Sequence, residues 1–163
     1  MTPRIEVEIP GEPVAQGRPR AARMGKHVRL YDPPKSRNWK ATAQEHMRRA
    51  MLQREVHDIQ CDMGEDCLCG LLEGPLTVQV TCLFSCPKTD YRKRTPRPRR
   101  WHAKRPDAEN VAKAVLDAAT GVVWRDDDQV ARLVIRKVIA RQGEAPGVWF
   151  SVAPLDEGPV EVP

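Results

Sequence analysis

The chain has 163 residues, of which 40% are hydrophobic and 30% charged, and its formal net charge is +5. This length suits one domain with a modest core, and no apolar run approaches the roughly 20 residues that cross a bilayer. Because the first residues form no apolar leader segment, we expect a protein that works in the cytoplasm and not in a membrane.

The N-terminal part predicts two strands and a helix. Residues 4–9 alternate between apolar and charged side chains, the period of a half-buried strand. A loop rich in Pro, Gly and Arg follows over 10–26, and 27–31 is a candidate strand. An apolar stripe then predicts a helix from Ser36, the expected N-cap, to about Val56.

Residues 57–74 are predicted to form an irregular insertion that contains three of the five cysteines: Cys61, Cys67 and Cys69. A zinc site is one interpretation, but their spacing fits no common four-ligand site, so free thiols are favoured. The odd number of cysteines without a secretion signal also argues against a disulfide framework.

A basic segment, residues 87–105, follows the clearest predicted strand at 75–85. It holds nine Lys or Arg and one acid, while 18–29 holds five Lys or Arg and no acid. Such stretches attract phosphate backbones, although a solvated surface explains a charge run equally well. The composition of residues 87–105 offers little apolar surface to bury, which predicts that this segment is mobile without a ligand. Trp101 and His102 are candidates for stacking on DNA.

The C-terminal part predicts a helix from Asp107, ended by Gly121, and then strands at 130–140 and 148–152. A tail over 156–163 is expected to fray. The order of elements predicts a single α/β (α+β) domain over 1–155, with two main helices packed on a mixed β-sheet.

Two groups of carboxylates flank the second helix. Asp107 suits an N-cap, and Glu109 shares a helix face with Lys113, as in an ordinary surface ion pair. The second group, Asp126–Asp128, is called the acidic turn below, because a run of aspartates is typical of a solvent-exposed turn. Each therefore has a purely structural interpretation.

Taken together, these residues favour a catalytic role over a purely structural one. Mg²⁺ binds oxygen ligands, and cations held by a few carboxylates promote phosphodiester hydrolysis by activating water and neutralising the transition state. A nearby lysine such as Lys113 can stabilise charge on the phosphate, if the acidic turn folds back over the start of the helix. A basic protein with this set is a candidate Mg²⁺-dependent nuclease.

These stretches also resemble a known family. Lys104-Arg105-Pro106-Asp107-Ala108-Glu109-Asn110-Val111-Ala112-Lys113 is similar to the signature of RusA-type Holliday junction resolvases, and Trp124-Arg125-Asp126-Asp127-Asp128-Gln129-Val130 to their second motif. Pro13-Val14-Ala15-Gln16-Gly17-Arg18-Pro19-Arg20 is similar to the start of many phage and prophage members. The resemblance covers most of residues 4–153. Many members carry Asp at the position of Glu109, and a small or neutral residue at that of Asp128.

The resemblance implies a homodimer that binds four-way DNA junctions and makes paired, Mg²⁺-dependent nicks, with Mn²⁺ as an expected substitute. It implies the catalytic residues Asp107, Glu109, Lys113 and Asp127, and the metal ligands Asp107, Glu109, Asp126 and Asp127. The basic stretches supply the DNA-binding candidates: Arg18, Arg20, Arg92, Lys93, Arg94, Arg97, Arg99, Arg100, Lys104 and Arg105.

Two other functions remain as alternatives. One is a DNA-junction-binding protein without catalysis, against which the acids argue, since a phosphate binder gains nothing from them. The other is an enzyme for small phosphate substrates, for which the basic segment is longer than needed.

Overall fold

The computed structural model describes residues 4–18, 20–24, 27–53 and 70–155. The strands are β1 (Ile5–Pro10), β2 (Arg20–Met24), β3 (His27–Tyr31), β4 (Leu76–Phe84), β5 (Arg100–Trp101), β6 (Val130–Ile139) and β7 (Gly147–Pro154). The helices are α1 (Pro34–Leu52) and α2 (Ala108–Ala119), with short 3-10 turns at Lys88–Asp90 and Asp127–Gln129. None of the described helices is long and apolar enough to cross a membrane.

Five strands form one mixed sheet in the order β1-β7-β4-β6-β5. β4 and β6 are parallel, and the other neighbouring pairs are antiparallel. A parallel pair needs a crossover connection, which here contains α2. β2 and β3 form a separate two-stranded antiparallel sheet.

The core lies between one face of the sheet and the two helices. Alternate residues of β1, β4 and β7 are buried, and they meet Trp39, Ala43 and Met47 of α1. The inner stripe of α2 runs through Val111 and Val115 against the same core. This confirms the predicted α+β domain, in which a mixed sheet carries two helices on one face.

Two local predictions for the N-terminal part were wrong. α1 begins at Pro34 with Pro33 as the N-cap, and the buried Ser36 lies inside the first turn, where its hydroxyl donates to the Pro33 carbonyl at 3.3 Å. Proline suits a first helical position because no N–H is needed there. The predicted loop over 10–26 contains β2, which pairs with β3.

Three expectations lie wholly or largely outside the described residues. They are the helix end near Val56, most of the insertion at 57–74 with its cysteines, and the tail at 156–163.

Candidate functional site

The start of α2 presents two exposed carboxylates. Asp107 occupies the N-cap position, but its side chain makes no capping hydrogen bond. Glu109 is exposed in the first turn, and one turn later Lys113 is exposed without an ion pair to it within 4 Å. The cap and the surface ion pair therefore do not explain these residues, whose charged atoms are open to a ligand.

Lys137 of β6 holds the backbone in front of Asp107. Its ammonium group donates to the Lys104 carbonyl at 2.7 Å and to the Pro106 carbonyl. Its own carbonyl accepts from the His102 N–H at 3.0 Å. The sheet thus fixes the position from which α2 begins. Sequence reasoning missed Lys137, since one lysine in a β-strand carries no recognisable signal.

The acidic turn gives its three aspartates different surroundings. The Asp126 carboxylate accepts from the Asp128 backbone N–H at 3.4 Å, and the Gln129 amide oxygen accepts from the Asp126 N–H at 3.2 Å. This reciprocal pair caps the 3-10 turn. Asp128 is exposed, and its carboxylate has no such contact.

Asp127 is the half-buried member of the turn. One of its oxygens, Oδ1, accepts from the Thr120 hydroxyl and from the Trp124 indole N–H, the latter at 3.1 Å. Trp124 is completely buried, so it is a rigid donor. These contacts orient Asp127 and leave its other oxygen, Oδ2, without a hydrogen-bond donor among the described residues.

The two carboxylate groups lie at opposite ends of α2. Asp107 precedes its first residue, while Asp127 contacts Thr120 just after its last. At 1.5 Å per residue, this twelve-residue helix is about 18 Å long. Among the described residues, no three Asp, Glu, His or Cys side chains come together as a metal-binding group. The acidic turn does not fold back over the start of the helix within one chain.

A polar cluster borders the exposed face of α2. Lys40 of α1 pairs with Asp32 and lies 3.5 Å from the Asp117 carboxylate of α2. The Gln16 amide donates to Asp32 at 3.2 Å, and the Gln16 backbone N–H donates to the Asn110 carbonyl at 2.8 Å. The hydrogen bond from Lys40 lowers the pKa of Asp32, and the charge of Lys113 contributes to that shift.

This cluster brings the N-terminal loop next to the first turn of α2, which carries Glu109. The exposed Arg18 lies two residues beyond Gln16 in that loop. Sequence reasoning did not assign Asp32, Lys40 or Asp117, because their contacts join three elements distant in sequence. The Arg20 side chain lies outside the described part of the structure.

The basic segment has defined contacts where its composition predicted few. Gln142, in the turn before β7, accepts from the Arg92 N–H at 2.8 Å and donates through its backbone to the Arg97 carbonyl at 3.0 Å. Arg99 pairs with Glu144, and Arg100 with Asp90. The Arg99 hydrogen bond lowers the pKa of Glu144 to about 2.

The remaining DNA-binding candidates of the segment differ in accessibility. Arg97 is half-buried, while five are exposed: Arg92, Lys93, Arg94, Lys104 and Arg105. Those five have side chains outside the ion pairs of the described residues. They are therefore better placed than Arg99 and Arg100 to meet phosphates without breaking an existing contact.

Trp101 and His102 have different environments. Trp101 is 73% exposed, which suits stacking on a base. His102 instead stacks on Phe84, with ring centroids 4.4 Å apart. Burial, followed by the charge of Lys137, lowers the pKa of His102. Of the two stacking candidates, the structure leaves Trp101 the more available.

The cysteines of the described region give no sign of reactivity. Cys82 and Cys86 are free and buried. Burial raises the pKa of the Cys82 thiol to about 12, so its reactive thiolate form is scarce near neutral pH.

Comparisons with known proteins bear on these sites. The family described as "Endodeoxyribonuclease RusA" matches residues 10–148. A protein of Bacillus subtilis (strain 168), described as "Uncharacterized protein YqaN", is 27% identical over 143 residues, which make up 85% of this chain and 89% of that protein. The family match spans both carboxylate groups and the basic segment.

Proposed function

This chain belongs to the RusA family of endodeoxyribonucleases, and we propose that it is a Mg²⁺-dependent, structure-selective endonuclease. Its proposed substrates are Holliday junctions and other branched DNA, which it resolves by paired nicking in recombination and repair. The observation that carries this proposal is the start of α2, directly after the basic segment. There Asp107 and Glu109 are exposed, and neither forms an ion pair with another described residue.

The donor set fits a hard divalent cation. Asp107 and Glu109 offer carboxylate oxygens open to solvent, and Asp127 offers one oxygen outside its existing hydrogen bonds. Mg²⁺ prefers such ligands, and we expect Mn²⁺ to substitute. When bound, the cation would supply the activated water and neutralise charge on the scissile phosphate. Asp126 is a weaker candidate ligand because its carboxylate caps its own turn.

We assign the side chains at the site three roles. Asp107 and Glu109 hold the cation, with Lys137 fixing the backbone before Asp107. Lys113 lies one turn beyond Glu109 and is free to donate to a phosphate oxygen, where a fixed positive charge stabilises the transition state. The exposed cations of the basic segment bind the flanking backbone and so orient the strand to be cut.

We also propose a homodimer whose two sites are shared between the copies. One chain has its carboxylates at the two ends of a helix about 18 Å long, too far apart to hold one cation. A two-fold axis that sets two α2 helices antiparallel would bring Asp127 of one copy to Asp107 and Glu109 of the other. Two such sites suit a four-way junction, which has two-fold symmetry of its own.

The alternative is a junction-binding protein that has lost catalysis. The free carboxylates argue against it, because uncompensated negative charge beside a phosphate-binding segment weakens DNA binding. The proposed function gives these charges a role.

The decisive experiment uses a fluorescent synthetic four-way junction with Mg²⁺ or Mn²⁺. We expect symmetric nicks from the wild type and none from Asp107→Asn, which should still bind the junction. Asp128→Asn is the matched control, since it removes one exposed carboxylate whose side chain has no capping role. Junction binding without cutting by the wild type in either metal would favour the inactive alternative. No junction affinity at low salt would refute both functions.

A further inference from the structure

β2 and β3 form a hairpin that is separate from the main sheet. They pair antiparallel from Arg20 opposite Tyr31 to Met24 opposite His27, and only two residues lie between them in the chain. They join no larger sheet, and the described core contains none of their residues. The side chains that the structure describes in this hairpin are all exposed: Ala21, Arg23, His27 and Tyr31. The hairpin is therefore available to a partner.

Polar contacts hold the root of this hairpin against both helices. Gln16, four residues before β2, donates through its side chain at 3.2 Å to Asp32, which directly follows β3. Lys40 of α1 pairs with the same carboxylate. The Gln16 backbone N–H donates at 2.8 Å to the Asn110 carbonyl in the first turn of α2, next to Glu109. The two ends of the hairpin are therefore fixed beside the proposed catalytic residues.

The hairpin and its root carry positive charge without acids to balance it. Residues 18–31 contain five Lys or Arg and no Asp or Glu, although the whole chain has 22 acids. Arg18 and Arg23 are exposed, and neither forms an ion pair with a described residue. A surface that only keeps a protein soluble normally mixes both signs of charge. Charge of one sign instead favours a phosphate backbone as the partner.

The dimensions of the hairpin favour one groove of DNA. A β-ribbon with side chains on both faces is about 10 Å thick, whereas the major groove of B-DNA is about 12 Å wide and the minor groove about 6 Å. A five-residue strand is about 17 Å long, and the major groove is about 8.5 Å deep. The hairpin is therefore thin enough to enter the major groove and long enough to reach the base edges.

We propose that the hairpin of β2 and β3 enters the major groove of a duplex arm of the DNA that this enzyme cuts. The inference rests on the proposed function and names the element that positions one arm. Arg23, one residue before the end of β2, lies near the tip and donates to N7 and O6 of a guanine. Arg18 lies at the root and binds the phosphate backbone. Because the root is fixed beside α2, the hairpin sets where along the arm the cut falls.

Dimethyl sulfate interference tests which groove is occupied. This reagent methylates guanine at N7 in the major groove and adenine at N3 in the minor groove, so one experiment probes both. Partly methylated four-way junctions are bound to the wild type without divalent metal, and bound DNA is separated from free DNA on a native gel. We expect guanine methylation within about one helical turn of the branch point, about 10 base pairs, to be depleted from the bound DNA. Adenine methylation there should have no effect.

Three arginine variants test whether the hairpin causes this interference. Arg23→Ala should abolish it at one or more guanines and weaken junction binding by about 5- to 100-fold. Arg18→Ala should weaken binding and reduce its salt dependence, with the interference pattern retained. Arg48→Ala is the matched control and should change neither, since it removes an exposed arginine of α1 that forms no ion pair with a described residue.

A change in the DNA tests the same contact without altering the protein. In 7-deazaguanine a C–H group replaces N7, so an acceptor of the proposed contact is lost. Junctions with this base at the affected positions should bind the wild type more weakly, and should bind Arg23→Ala as strongly as unmodified junctions do. Interference at adenine alone, no interference at guanine, or a guanine pattern that is unchanged in Arg23→Ala would each overturn the proposal.

The cutting assay separates this proposal from the proposed function. If the wild type nicks four-way junctions but Arg23→Ala keeps the guanine pattern of the wild type, the groove contact is wrong and the nuclease function stands. If the guanine pattern depends on Arg23 but the wild type cuts no junction in Mg²⁺ or Mn²⁺, the groove contact stands and the nuclease function is wrong.

Discussion

Mixing two inactive variants would test whether the candidate site is shared between two chains. Asp107→Asn and Asp127→Asn damage opposite ends of α2, which is about 18 Å long, whereas Mg²⁺ holds its ligands at about 2 Å. If each site takes Asp107 from one copy and Asp127 from the other, both homodimers are inactive. A mixed dimer then has one doubly damaged site and one intact site.

Random pairing of equal amounts makes about half of the dimers mixed, so about a quarter of all sites are intact. We expect the co-refolded mixture to nick a cruciform plasmid at about a quarter of the wild-type rate. The products should be mainly nicked circles, because a mixed dimer cuts only one strand.

The matched control mixes Asp107→Asn with Glu109→Gln. These changes affect the same end of α2, so every site in the mixed dimer stays damaged and no activity should return. If the first mixture is as inactive as its parents, although subunit exchange is demonstrated, the argument for a shared site is refuted.

Three further predictions concern residues around the site. Lys137→Met should lower the nicking rate by about 10- to 100-fold through misplacement of Asp107, with junction affinity unchanged in a gel shift; an unchanged rate would contradict the positioning role. Glu144→Gln should lower the free energy of unfolding in urea by about 1 kcal/mol at pH 7. Because Arg99 lowers the folded-state pKa of Glu144 to about 2, this difference should be complete above about pH 5 and shrink as the pH falls towards 2; a pH-independent difference would count against the ion pair. Junction affinity should fall by about 0.9 log units per phosphate contact for each tenfold rise in salt concentration. Because the Arg99 side chain already pairs with Glu144, Arg92→Ala should reduce this salt dependence more than Arg99→Ala does. Equal effects of the two substitutions would contradict the proposal that Arg92 is the better placed of the two to bind phosphate.

Sequence patterns predicted most of the elements because each pattern reports on the surroundings of one element. The alternation in β1 and β4 and the apolar stripe of α2 identify buried faces directly. The short β2 and β5 were missed, since neither has an apolar period of its own and both depend on pairing with a neighbour.

The sequence by itself determined the chemistry available to this protein: two groups of carboxylates, one lysine at helical spacing and a basic segment before them. Only the tertiary structure decided where these groups lie. Since β4 and β6 are parallel, α2 must run back between them, which sets Asp107 and Asp127 at its opposite ends. The same topology brings Lys137 next to the segment before Asp107, where its ammonium group donates to the Pro106 carbonyl. Such relations depend on which strands become neighbours, and local periodicity carries no information about that.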